Sequence, residues 1–207
     1  MKQQSGFTLV EIAVVLVIIG LLLGGVLKGQ ELITQAKIKN VANDFNGLAS
    51  AVYSYQDRYR ALPGDDSRAK TRWTQAAVAN GDGNGQIGGN YNSSTDTDES
   101  RQFWLHLRNA GFIGGSTDSA EQPLNASGGL LGVQNGGLGL AGLVMCSANL
   151  PAKIANAIDA QFDDGDATKG SVRGMKQSGS NDNVSADAPT TTYVDNGSNL
   201  YLVCKNV

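Results

Sequence analysis

The chain is poor in most of the residues that enzymes and nucleic-acid binders rely on. It has one histidine, two cysteines, four prolines and 6% aromatic residues in 207 positions. Sparse aromatics limit the core of any head domain, and a lone His106 without a paired cysteine or carboxylate motif is a poor catalytic candidate. No nucleophile, paired-acid or cofactor motif is present, which argues against an enzyme. With 16 basic and 19 acidic residues and no basic cluster, the composition makes no case for nucleic-acid binding. No proline occurs before Pro63, so nothing of that kind interrupts the first sixty residues. A length of 207 residues allows one ordinary domain plus an appendage.

Glycine and apolar residues are abundant instead, in different places. Glycine numbers 27, well above the usual level of about 7%, and beyond Pro63 it is accompanied by Asn, Ser, Thr and Asp, so loops dominate the head. The apolar residues concentrate at the N-terminus. Ile12 to Leu27 carry no charge, and with Phe7 to Glu11 the run spans about 30 Å as a helix, one bilayer crossing. Lys2 lies on one side and Lys28, Lys37 and Lys39 on the other, so the charge count does not orient the span. Glu11 sits inside this run, where a carboxylate costs about 3 kcal/mol on insertion scales, so a function for it is expected.

After Leu27 the pattern turns amphipathic. Leu32, Ile33, Ala36, Val41, Phe45, Leu48, Val52, Tyr55 and Tyr59 recur mostly at steps of three and four, which predicts one helix continuing to about Arg60. The stretch Ala61-Leu62-Pro63-Gly64-Asp65-Asp66 then stops it.

The polar leader Met1–Gly6, followed by Phe7-Thr8-Leu9-Val10-Glu11 and the apolar run, closely resembles the N-terminus of type IV prepilins and type II secretion pseudopilins. That resemblance covers residues 1 to about 60. It implies cleavage between Gly6 and Phe7 by a prepilin peptidase, N-methylation of Phe7, and a role for Glu11 in assembly. Glycine, lacking Cβ, lies easily in a peptidase groove. The competing readings are an uncleaved signal anchor and a Glu11 that merely favours the helix N-terminus.

The resemblance implies an α+β, pilin-like fold with a few antiparallel strands. The expected parts are a leader (1–6), a membrane and filament-core helix (7–30), an amphipathic spine (31–60) and a globular head (61–207). It implies related pilin subunits and an inner-membrane assembly platform as partners. The precursor is expected in the bacterial inner membrane, and the product in an extracellular pilus or a periplasmic pseudopilus. A pseudopilin, a minor pilin, and an adhesin or DNA-uptake subunit are the alternatives. Gly20 and Gly24, like Gly25 and Gly29, stand four apart, a spacing that lets helices approach or else only loosens the helix.

In the head, Asp82, Asn84 and Gln86 alternate with glycine as in the first two-thirds of an EF-hand loop. Tyr91 replaces the bidentate glutamate, which leaves Glu99 to complete a candidate calcium site if the intervening loop folds back. A plain Asn/Asp/Gly turn uses the same residues. Asp163-Asp164-Gly165-Asp166, after a helix-like Pro151–Phe162, reads as a helix stop rather than a ligand cluster. The stretch 137–142 matches G-x-G-x-x-G, but with no strand expected before it and Pro151 close after, it reads as a loop feeding a strand from Gly142 to Cys146. Ser100–Ile113 reads as a core helix. The only cysteines, Cys146 and Cys204, are expected to bridge if the head is exported, in agreement with the resemblance; two buried free thiols are the alternative.

Overall fold

A computed structural model describes residues 8–207. Gly6 and Phe7, the predicted cleavage and methylation site, lie outside the described residues. The chain packs as two units that part between Lys37 and Ile38.

Helix α1 runs Leu9–Tyr59. In the first unit no described residue covers its apolar side chains: Leu9 is 86% exposed and Leu21 72%. Among the described residues α1 is the one helix long and apolar enough to cross a membrane. Within the second unit α1 buries a single stripe, Val41, Phe45, Leu48, Val52 and Tyr55, at alternating steps of four and three. The helix ends where Arg60 takes a left-handed conformation (φ 55°) and its N–H donates to the Gln56 carbonyl at 2.9 Å. That position usually falls to glycine, and Pro63 prevents any resumption.

The second unit adds α2 (Ala69–Arg72), α3 (Glu99–Asn109), β1 (Leu131–Gly137), β2 (Leu140–Pro151), α4 (Ala152–Phe162), β3 (Val172–Lys176) and β4 (Leu200–Asn206). The strands form one antiparallel sheet in the order β1-β2-β4-β3. The fold is α+β, with the α1 stripe packed on a small four-stranded sheet. Side chains alternate across the sheet, as strands require. Met145, Tyr201 and Val203 join the core with α1, α3 and α4. Val144, Cys146, Leu202 and Cys204 join a smaller cluster that includes Tyr91 and Leu138.

Two expectations need correction. A strand, β1, does precede the G-x-G-x-x-G match, hidden by the glycines of its Leu-Gly-Val-Gln-Asn-Gly-Gly sequence. The match holds the two-residue turn of the β1–β2 hairpin, Leu138 and Gly139 at φ 53° and 72°, with Gly137 ending β1 and 140–142 opening β2. Positive φ at both central residues matches the twist of the flanking strands. Leu138 tolerates it because its side chain is fully buried and its N–H donates to Ser185 O at 2.7 Å. A strand rather than a helix follows, so the nucleotide-binding reading fails on that ground. The strand is also longer than expected, Leu140–Pro151 rather than Gly142–Cys146. Ser100–Ile113 and Pro151–Phe162 correspond to α3 and α4, whereas the single turn of α2 has no periodic signal in the sequence.

Candidate functional site

At the start of α1, Thr8 and Glu11 cap the helix reciprocally. The Thr8 N–H and hydroxyl donate to Glu11 Oε2 at 2.7 and 2.8 Å, and the Glu11 N–H donates to Thr8 Oγ1 at 3.3 Å. This is a capping box, which satisfies N–H groups that a first helical turn leaves unpaired. Both side-chain bonds fall on Oε2; among the described residues none reaches Oε1. Gly20 and Gly24 carry no internal packing, since a Cβ at either would meet nothing within 4 Å. The glutamate and the small-residue positions therefore lie on a helix surface that no described residue of the first unit covers.

The candidate calcium loop is held by two carboxylates. Asp65, which sequence reasoning places only in the helix stop, is buried and accepts from the N–H groups of Gly83 (2.6 Å), Asn84 (3.1 Å) and Gly85 (2.8 Å). Glu99 does come back to the loop, accepting from the N–H groups of Asp82 (2.9 Å) and Gly88 (2.7 Å). The approach depends on Gly81, where a Cβ would overlap the Asp65 backbone. Asp65, Asp82 and Glu99 each place one carboxylate oxygen within 4.8 Å of the others. These are the residues that could hold a cation, although calcium takes six to eight oxygens. Asn84 Oδ1 instead accepts from the Gln86 N–H at 2.7 Å, and Gln86 Oε1 from the Asn135 side chain at 2.7 Å.

Asp159, Asp163 and Asp164 form a second acidic trio at the end of α4. Asp163 Oδ2 accepts from the N–H groups of Ser171 and Val172 at 2.5 and 3.2 Å. Asp159 accepts from the Tyr193 hydroxyl at 2.7 Å and the Gly165 N–H at 2.9 Å. Burial raises its pKa above the usual aspartate value.

His106 is fully buried in α3. Its Nδ1 accepts the Gly64 N–H at 2.9 Å, and its Nε2, 2.9 Å from Ala79 O, is the donor to that carbonyl. Burial pushes its pKa down to about 4. With both nitrogens committed to backbone groups, its role is to join loops. Cys146 and Cys204 stand directly opposite one another on β2 and β4 and are disulfide-bonded, both fully buried.

Residues 1–27 match the family model described as the prokaryotic N-terminal methylation motif, the prepilin signal of type IV pilins and pseudopilins. It points to a pilin-like or pseudopilin protein, and to a structural subunit rather than an enzyme. No curated protein and no solved structure matches the chain.

Proposed function

We propose that the chain is a structural subunit of a type IV pilus or pilus-like filament. It is cut between Gly6 and Phe7 by a prepilin peptidase, N-methylated at Phe7, and polymerised through α1 by the inner-membrane assembly platform. The observation that carries this reading is the methylation motif leading directly into a helix whose apolar surface, from Leu9 to Leu27, is exposed all round. An apolar surface of that extent requires lipid or other helices. The membrane serves before assembly, and identical or related subunits after it.

Cleavage makes the Phe7 amine a positive charge inside an apolar bundle, where an unpaired charge costs several kcal/mol. Glu11, with Oε1 not taken by any described residue, is the carboxylate that neutralises the amine of a neighbouring copy. The same leader and helix serve a pseudopilin of a secretion system, and the loop around Asp65, Asp82 and Glu99 is the feature a calcium-binding pseudopilin would use.

Mass spectrometry of the native protein tests the reading. An N-methylated Phe7 at the terminus, recovered from filaments sheared off the cells, supports it. Retention of Met1, or an N-terminus beyond the apolar run, overturns it. A bulky residue in place of Gly6 should leave the uncut precursor in the membrane.

A further inference from the structure

Asp44, on the second unit's part of α1, is a carboxylate without a counterpart. It is half-buried, and among the described residues it has no hydrogen-bond or ion-pair partner. Burial alone raises its pKa, with no neighbouring charge or donor opposing. The buried acids Asp65, Asp66 and Asp159, by contrast, are each held by at least two donors. Asp44 lines a depression of about 200 Å³ shared with Asn43, Gly47, Leu48, Trp104 and Leu131. Gly47 leaves the helix flank open, since a Cβ there would meet nothing within 4 Å. The indole N–H of Trp104, which lines the depression, is enclosed without an acceptor. A half-desolvated charge beside an open apolar depression is the arrangement of an interface that lacks its other half.

We infer that this depression receives a second copy of the chain, whose Lys39 ammonium pairs with Asp44. The inference rests on the filament reading above and names a contact within it. Lys39 is exposed and has no partner among the described residues. It stands five positions before Asp44, so the two lie about 140° apart around α1. One copy therefore presents Lys39 to one neighbour and Asp44 to another, and such a head-to-tail contact propagates instead of closing. Lys37, seven residues before Asp44, shares its face and could not do this.

The test uses the full chain as the sole copy in cells that carry the assembly machinery. Asp44→Lys and Lys39→Asp should each lower the yield of sheared filaments by about tenfold or more, because like charges would meet at the contact. The double variant should restore assembly. In filaments carrying both Asp44→Cys and Lys39→Cys, oxidation should give a ladder of oligomers that neither single variant gives. Asp44→Asn should melt at the wild-type temperature or above in detergent, which a merely structural aspartate would not allow. Wild-type filaments whose yield is indifferent to Asp44→Lys, a double variant that stays defective, or cross-linking of Asp44→Cys to a different protein overturns the docking alone. Failure of the wild type to form filaments overturns the subunit reading itself.

Discussion

Tyr55, on the buried stripe of α1, donates its hydroxyl to Asp66 Oδ2 at 2.7 Å. Asp66 also accepts the Arg68 N–H at 2.9 Å and forms an ion pair with Arg72, whose guanidinium lies 4.6 Å from the centre of the Tyr59 ring. The last turns of α1 are thus tied to the chain that follows Pro63-Gly64. The spine helix and the head are joined by a buried polar network as well as by apolar packing.

Tyr55→Phe removes one donor from a buried carboxylate while keeping the ring. It should destabilise the protein by about 2 kcal/mol, the usual worth of a hydrogen bond to a charged group. Denaturant unfolding of the full chain in detergent checks this, with an unchanged slope showing that the folded state is otherwise intact.

The single histidine makes one pH effect attributable. His106 has its folded pKa lowered to about 4 from 6.5, so it contributes stability above pH 6.5 that is lost as pH falls through 4. The full loss is about 3 kcal/mol, since each tenfold change in proton affinity corresponds to about 1.4 kcal/mol. Protonation would put a hydrogen on Nδ1, where the Gly64 N–H now donates. Unfolding measured stepwise from neutral to acid pH should show this slope in the wild type and not in His106→Gln.

The Cys146–Cys204 bridge spans 58 residues of sequence. In the loop-entropy model its removal costs about 4 kcal/mol. The double variant Cys146→Ala/Cys204→Ala should show that loss. Thiol labelling of the unreduced, unfolded wild type should find no free cysteine.

Asp65→Asn weakens the anchor of the loop at Gly83, Asn84 and Gly85, and should cost about 2 kcal/mol while speeding amide exchange at those three residues. The loss should be equal with a chelator and with calcium present if the loop's own N–H groups hold it. A loss confined to calcium-containing buffer would assign the anchoring to a bound ion.

Glu11→Ala should be made, cleaved and inserted as the wild type is, yet enter filaments poorly. The capping box contributes only about 1 kcal/mol to the helix, too little to prevent insertion. Filaments as abundant as wild type from this variant would reduce Glu11 to its cap with Thr8.

What could be read without a structure was what depends on neighbours in sequence. The motif at residues 1–27, the change from uniform to striped hydrophobicity along α1, and the helices α3 and α4 are patterns at spacings of three and four, set by backbone geometry alone. The cysteine count also made the disulfide legible, because two cysteines have only each other to pair with if the head is exported. Strand β1 was not legible, since its glycines carry no alternation and its pairing with β2 supplies what local propensity lacks. Nor was the role of Asp65, whose partners lie 18 to 20 residues onward and are backbone N–H groups, which every residue type but proline possesses. Asp44 shows the same limit in reverse. In the sequence it is one acid among the polar residues of an amphipathic helix, and only the packing of α3 and β1 beside it makes it a half-buried charge without a partner. Burial and pairing of a charge are properties of what surrounds it in space, and that was decided by the tertiary structure.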